Sequence, residues 1–518
     1  MAAARPRRSG GLALSDLFGV AHHRDQAVTG ITVDSRLVRP GDVYVALPGR
    51  TDHGSRFAAD AVRAGAVAVL TDAQGGAIAA ASGCPVIVVP DPRIAMAPVA
   101  ARIYGDPSTK LTMLAVTGTN GKTTTSYLLD AALRAAGRHV GVIGTIGFSL
   151  DGEPLPVART TVTTPESPEL QALLGLMAEG GADSCVMEVS SHAMVLHRAD
   201  SIAFDVAAFT NFGRDHLDFH GDEESYFAAK ASLFTPDHTR HAVVNVDDKH
   251  GRRLVDQIAA AGVVACSTTS LRGSGGSATE ADYTATTVAL RPDGTPLVRL
   301  ECPDRRIEFQ LALPGDFNIR NAVTALAMLD VLGVDLDAAA EGLSTAQVPG
   351  RMQRVDLGAD APTVFVDFAH TPQAVTAALG AVGGSRRVVV LGCGGDRDPD
   401  KRAPMGAAAA ANADLVIVTD DNPRIEDPAA IRRQILDGVR AEISKDQLST
   451  VVIDGGDRRS AIRTALQRSG PGDVIAVLGK GHESGQEIGG AIHPFNDIEV
   501  VAQEWAALRA SQDTGARR

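Results

Sequence analysis

Leu111–Val116 is a short apolar run that leads directly into Thr117-Gly118-Thr119-Asn120-Gly121-Lys122-Thr123-Thr124, and Thr123–Ala136 after it has the spacing of an amphipathic helix. Strand, glycine loop and helix in that order make a phosphate cradle. Backbone N–H groups of Gly118, Thr119, Asn120 and Gly121, with the helix N-terminus, can surround phosphate oxygens. Lys122 adds a point charge, and the hydroxyl of Thr123 or Thr124 suits magnesium. The strict phosphate-loop pattern wants glycine at 116, where this chain has Val116. The competing reading is a glycine turn before a structural helix. A second apolar run, Cys185–Val189, carries Glu188 near its C-terminal end. A carboxylate there faces the phosphate crevice and can serve as a second magnesium-holding group.

Two further stretches hold reactive side chains. Thr210–His220 packs Asp215, Asp218, Arg214, His216 and His220 into one short segment after a strand; taken alone, such a cluster reads more readily as a solvated loop. Tyr226–Phe234 reads as an amphipathic helix with a solvated lysine, Lys230. Lysine is scarce here: Lys110, Lys122, Lys230, Lys249, Lys401, Lys445 and Lys480 are the seven among 49 basic residues. In so arginine-rich a chain, a lysine marks a place where arginine can fail.

The elements that must position these groups follow from the apolar runs. The chain has 518 residues, with 44% hydrophobic and 21% charged residues, enough for three or four soluble domains. Residues 1–10 and 511–518 read as tails. Residues 11–108 form a small α/β domain with strand runs Val43–Leu47, Ala66–Leu70 and Val86–Val89, closed by a linker at Gly105–Ser108. Residues 109–348 form a central phosphate-loop domain whose apolar runs Leu111–Val116, Cys185–Val189, Phe204–Phe209 and Ala242–Val246 alternate with helices, so the sheet is mostly parallel and covered on both faces. Leu271–Thr279 reads as a flexible insertion, and Asn318–Leu332 as a helix. Residues 349–510 form a doubly wound, Rossmann-like α/β domain with strands Val364–Asp367, Val388–Leu391, Leu415–Thr419, Val451–Asp454 and Ile475–Leu478. No apolar run is long enough to span a membrane, and MAAARPRRSGG lacks a signal-peptide core, so a cytoplasmic protein is expected. The net charge of −13 argues against general nucleic-acid binding, and five scattered cysteines without a CxxC pair make neither a disulfide framework nor a zinc site.

Three loops follow strand ends in the last domain: Gly394–Arg397, Asp420–Arg424 and Gly479–Glu483. Ligands of doubly wound sheets sit beyond those ends, so the loops should share one pocket. Its arginines, Arg397 and Arg424, suit a carboxylate, and Asp421 and Glu483 suit an ammonium. An amphoteric ligand follows, against the alternative of three unrelated polar loops.

The string Thr117–Thr125 resembles the ATP loop of the Mur ligase family, which builds the peptide stem of bacterial peptidoglycan. Met187–His192 and Arg214–Asp218 resemble the family's EVSSH and RDHLD motifs. The resemblance implies that Glu188 and His216 help hold magnesium, two ions in all, and that Ser190 and Arg198 contact a nucleotide-peptide substrate. Leu196 departs from relatives with a polar residue there. It also implies that Lys230 is carbamylated by carbon dioxide. A neutral amine can attack carbon dioxide, whereas guanidinium stays protonated. Gly315–Asn321 resembles the GxFNxxN stretch beside adenine, which brings in Asn318. Arg351 in the hinge Pro349–Arg354 can reach ATP phosphates. Asp367 and His370 lie in a DFAHTP segment that resembles DYAHTP, with Phe368 for Tyr.

Val33, Ser35 and Gly49–Gly54 resemble the uridine-binding segments, and Thr163-Thr164-Pro165 the muramoyl-peptide loop. Asp421-Asn422-Pro423-Arg424 resembles the signature of members adding meso-diaminopimelate to UDP-N-acetylmuramoyl-L-alanyl-D-glutamate, with Gly479 and Glu483 alongside. The extra carboxylate of diaminopimelate needs a cation, and Arg424 supplies one. The expectation is an ATP-dependent amide ligase that passes through an acyl phosphate and acts as a monomer on small molecules. The alternatives are a lysine-adding or other Mur-type ligase, or a silent nucleotide-binding regulator.

Overall fold

A computed structural model describes residues 5–6, 11–19, 26–49, 51–157, 163–262, 265–272 and 281–516. By its contacts the chain forms two compact units. The first is Met1–Thr284 with Glu301–Arg305 and Arg320–Gly342; the second is Ala285–Leu300, Arg306–Ile319 and Leu343–Arg518. Residues 11–108 and most of 109–348 therefore group together, while 285–300 and 306–319 leave the central segment for the second unit.

In the first unit, strands Gly30–Thr32, Asp42–Ala46, Ala68–Thr71 and Val86–Val88 pair in parallel in that order. Their apolar side chains pack with Leu14, Met96 and Ile103 into one core. Arg5 forms an ion pair with Asp42, whose side chain is fully buried. The expected tail is thus docked at Arg5, because a buried carboxylate needs a cation. The other residues of 1–10, apart from Pro6, lie outside the described ones.

In the central sheet Val140–Ile143, Ser184–Glu188, Thr112–Thr117, Phe204–Phe209, Thr239–Asn245 and Ala265–Leu271 lie side by side and parallel, and Phe148–Leu150 and Glu153–Pro154 add antiparallel beyond Val140–Ile143. Thr112–Thr117 is interior, and the chain leaves it first towards one edge and later towards the other. That reversal opens a crevice beyond its carboxyl end. The expected strands stand within a few residues of their predicted bounds. Val140–Ile143 is an apolar strand that was not anticipated, short and flanked by glycines. The insertion after Leu271 falls mostly outside the described residues.

In the second unit the sheet order is Gln353–Val355, Thr363–Asp367, Val474–Leu478, Arg387–Leu391, Leu415–Thr419 and Val451–Gly456, parallel except at the Gln353–Val355 edge. Helix Asp497–Ala516 extends into the segment 511–518 expected to be a tail, whose last two residues lie outside the described ones. Its start is fixed by Asn496 Oδ1, which accepts the N–H of Ile498 at 2.9 Å and of Glu499 at 3.2 Å. After that cap, no proline and only a late glycine interrupt it. Among the described residues, no helix is long and apolar enough to cross a membrane.

Candidate active site

The phosphate loop is shaped by close approach. Gly118 has φ 145°, and a Cβ there would lie 2.0 Å from Thr210 Oγ1. Only glycine combines that backbone with that contact. Thr119 and Asn120 are tied to the neighbouring strand end: Thr119 N–H donates to Asn211 O at 2.9 Å and Asn120 N–H to Asn211 Oδ1 at 3.0 Å. Gly121, at φ 88°, ends the loop and Lys122 starts helix Lys122–Ala135. Lys122 Nζ donates to Gly118 O at 2.8 Å and Thr119 O at 2.9 Å.

Glu188 is 1% exposed at the end of the adjacent strand. Its Oε2 accepts from Thr123 Oγ1 at 3.0 Å and Thr145 Oγ1 at 2.9 Å, and its Oε1 accepts the Thr145 N–H at 2.9 Å. The substrate-loop threonines join this network. Thr163 Oγ1 is 3.0 Å from Thr145 Oγ1, while Thr164 Oγ1 donates to Glu188 O at 2.9 Å and accepts the Ser190 N–H at 3.1 Å. Arg198 donates to Thr164 O at 3.2 Å and pairs with Glu166 at 3.0 Å, and Arg93 takes the other oxygen of Glu166 at 2.9 Å. Thr123, Thr163, Thr164, Glu188, Ser190 and Arg198 are therefore one connected surface.

Lys230 is not solvated: it is 1% exposed. Its Nζ donates to Gly118 O at 2.9 Å and lies 4.5 Å from the centre of the Tyr226 ring. Burial, then the nearby Lys122 charge, pushes the amine well below the ordinary lysine range. Two lysines thus converge on one loop carbonyl, and the more buried one favours the neutral amine. His216 adopts φ 52° and sits edge-on to His192, ring centres 4.8 Å apart, with Nε2 3.5 Å from Asp215. Burial lowers its pKa, Asp215 opposes, and Lys122 and Lys230 lower it further, so it shares the field of both lysines. Among the described residues, no three or more His, Cys, Asp or Glu side chains group as a metal cage. Glu188 and Thr123 nevertheless offer hard oxygens side by side, a donor set that fits magnesium, which keeps several waters and phosphate oxygens as its other ligands.

At the front of the first unit, Asp34 caps the turn Ser35–Leu37 after Val33. Tyr44, pushed up to about 12 by burial, is hydrogen-bonded to Ser35 and donates to Gly54 O at 2.9 Å. One tyrosine joins the two segments expected to take uridine.

In the second unit, Asp367 accepts the N–H groups of Met352 at 2.7 Å and Ala369 at 2.8 Å, which fastens the 349–354 segment to a strand end. Burial pushes its carboxyl above the usual range, against the pull of Arg351. Arg351 stacks 4.5 Å over Phe368, and His370 Nδ1 is 2.8 Å from Phe368 O. Asn318 is buried and donates to Pro314 O at 2.8 Å.

The three loops of this unit meet. Asn422 Nδ2 donates to Glu483 Oε2 at 2.8 Å, and a Cβ on Gly479 would lie 2.9 Å from Asp421 Oδ2. Asp421 is pushed up by burial, with Arg458 and Lys480 opposing. Arg424, at φ 54° after Pro423, donates to Gly395 O at 2.6 Å and pairs with Glu487 at 3.2 Å. A Cβ on Gly394 would lie 3.0 Å from Arg424 Nη1 and 3.9 Å from Arg397 Cγ, so both arginines border one glycine. Cations and carboxylates alternate across a small area.

Family models match in chain order: "Mur ligase family, catalytic domain" over residues 27–104, "Mur ligase middle domain" over 116–329 and "Mur ligase, glutamate ligase domain" over 350–481. The chain belongs to the Mur ligase family. UDP-N-acetylmuramoyl-L-alanyl-D-glutamate–2,6-diaminopimelate ligases of Streptomyces avermitilis and Corynebacterium glutamicum are 45% and 46% identical to it. The first alignment covers 96% of this chain and 97% of the relative, the second 93% of each. A solved structure of a ligase with the same name is 31% identical, with a TM-score of 0.71 over 96% of this chain and 99% of that one.

Several residues of this Mur ligase site had no signal in the sequence. Thr145 grips Glu188 from 43 residues away, and Glu166 joins Arg93 to Arg198 across 73 and 32 residues. Tyr44 and Glu487 are equally silent. Lys480 lay in the Gly479–Glu483 loop and among the seven lysines, with no role attached.

Proposed function

We propose that this Mur ligase joins meso-diaminopimelate to the D-glutamyl γ-carboxylate of UDP-N-acetylmuramoyl-L-alanyl-D-glutamate, at the expense of ATP. The observation that carries the reading is the clustering of Arg397 and Arg424 beside Gly394 with the Asn422–Glu483 pair at neighbouring strand ends, which suits a ligand with both ammonium and carboxylate heads. Relatives named for that reaction stand at 45% identity over nearly the full chain.

The γ-carboxylate attacks the γ-phosphorus, which gives an acyl phosphate and releases ADP. The amine of diaminopimelate then attacks the acyl carbon, loses a proton, and phosphate leaves as the amide forms. Gly118 to Gly121 and Lys122 hold the ATP phosphates, and Thr124 continues the cradle at the helix start. Arg198, Ser190, Thr163 and Thr164 orient the nucleotide-dipeptide, with Val33 and Ser35 at its uridine end. Asn318, Arg351, Asp367 and His370 belong to the nucleotide side. Magnesium, when bound, neutralises phosphate charge, with Thr123, Glu188 and His216 as protein ligands. Lys230, whose burial favours the neutral amine, adds carbon dioxide at Nζ; one proton is released and a carbamate carboxylate forms. Arginine cannot do this. The enzyme is taken as a cytoplasmic monomer acting on small molecules.

Phosphate release by the purified protein is expected only when ATP, the nucleotide-dipeptide and meso-diaminopimelate are all present. Arg424→Asn should lose diaminopimelate use by roughly a hundredfold in kcat/KM, the scale of a lost bidentate charge-assisted contact. Unchanged preference between diaminopimelate and L-lysine in that variant would count against the assignment.

A further inference from the structure

Beneath the three loops of the second unit lies a charged residue that the reaction above leaves without a task. Lys480 has no exposed surface. An ammonium has three N–H donors, and three oxygens take them: Gly485 O at 2.6 Å, Glu483 Oε2 at 3.1 Å and Asn422 Oδ1 at 3.3 Å. Asp421 Oδ1 stands 3.8 Å away as an ionic contact. Asn422 is held at both ends of its amide, because its Oδ1 also accepts the Glu487 N–H at 3.0 Å while its Nδ2 donates to Glu483. Flipping that amide would aim its N–H groups at two donors, so the network admits one orientation.

Glu483 is anchored asymmetrically. Both the Lys480 and the Asn422 bonds end on Oε2, yet its side chain remains 36% exposed. One carboxylate oxygen is fastened inside the domain while the group still meets solvent. Without the ammonium, Asn422 and Glu483 keep a single mutual hydrogen bond, the carbonyl of Gly485 loses its donor from Lys480, and the buried carboxylate of Asp421 keeps only Arg458 as a nearby cation. Arginine is a poor substitute: its planar fork does not converge on acceptors arranged around one nitrogen, and at a position with no exposed surface its larger head cannot turn out to solvent.

The geometry points to Lys480 as the positioning residue of the diamino-acid pocket, locking Asn422 and Glu483 in the one arrangement that receives the substrate's ammonium. This rests on the ligase reading given above. It sets Lys480 apart from Lys122 and Lys230, whose work is on the phosphate side.

The test uses the full chain as wild type, Lys480→Met and Lys480→Arg, assayed for phosphate release with each substrate varied in turn. A wild type without diaminopimelate-dependent release overturns the ligase reading itself, whatever the variants do. With an active wild type, both variants are expected to raise KM for meso-diaminopimelate about tenfold or more. KM for ATP and for the nucleotide-dipeptide should stay within about twofold, the pattern of a lost binding interaction confined to one substrate. An unchanged diaminopimelate KM in Lys480→Met, an equal rise in all three KM values, or full recovery by arginine overturns the positioning role. Lys480→Gln, which removes the charge but keeps an N–H donor on a chain of similar length, guards against misfolding. It is expected to fold and to keep the diaminopimelate defect. Failure of all three variants to fold would make Lys480 a core residue and overturn the proposal.

Discussion

Lys230 shows how much one side chain's chemistry depends on its surroundings. Its amine is buried against Gly118 O and the Tyr226 ring, and desolvation with the Lys122 charge lowers its pKa from the ordinary 10.5. Between the folded and unfolded values the unfolded chain binds more protons, so native stability rises with pH across that window. Lys230→Met lacks the titration. In carbon-dioxide-free buffer that variant should therefore be more stable than wild type at about pH 7, with the advantage shrinking towards about pH 10. Denaturant midpoints at the two values check this, and an offset that does not change with pH would contradict a neutral amine. Lys230→Arg keeps a cation but cannot form a carbamate, and it should lower turnover roughly a hundredfold or more. Near wild-type turnover in that variant would remove the carbamate from the mechanism.

At the scale of elements, the site is made where strand ends and helix starts meet. Glu166 precedes helix Ser167–Glu179 and holds Arg198 with one oxygen and Arg93, from helix Pro92–Ile103, with the other. Arg198 in turn touches the carbonyl of Thr164, which itself bonds to Glu188 and Ser190. A neutral Glu166→Gln keeps the shape but loses both ionic halves of the bridge. We expect it to raise KM for the nucleotide-dipeptide about tenfold while KM for ATP stays within about twofold. Steady-state kinetics with each substrate varied would show this. An equal change for ATP would mean that the bridge supports the phosphate loop instead.

For the molecule as a whole, stability and site are tied together by buried charge. Arg458 and Asp497 are both fully buried and pair bidentately at 2.7 Å, and Arg458 also donates to Leu478 O at 3.0 Å, just before the Gly479–Glu483 loop. Arg458→Met leaves Asp497 buried without its cation, at a cost of ~3–5 kcal/mol. Arg458→Met/Asp497→Leu should recover most of that loss, since apolar replacement of both partners is tolerated far better than removal of one. Denaturant unfolding of the two variants distinguishes the outcomes. Equal destabilisation by both would mean that packing, not the unpaired charge, sets the cost.

Contiguous chemistry was legible before folding. The phosphate loop is consecutive backbone N–H groups between a strand and a helix, so its residues appear in order as Gly118 to Lys122. The parallel strands are covered on both faces, so Val206–Phe209 and Leu415–Val418 stand out as unbroken apolar runs. Strand-end loops, including Asp421–Arg424, could be placed by the same rule. Partnership was not legible. Glu188 with Thr145, Arg93 with Glu166, Tyr44 with Gly54, Lys480 with Asn422 and Arg458 with Asp497 are joined by strand order and helix packing, which no local spacing encodes. Nor could the sequence distinguish a solvated Lys230 from a buried one, since the helix that carries it reads as amphipathic either way. Residue order alone determined which chemical groups the chain owns and the loops that present them. The tertiary structure decided which groups are desolvated and paired, because an amine's charge state and a carboxylate's geometry depend on what distant segments pack around them.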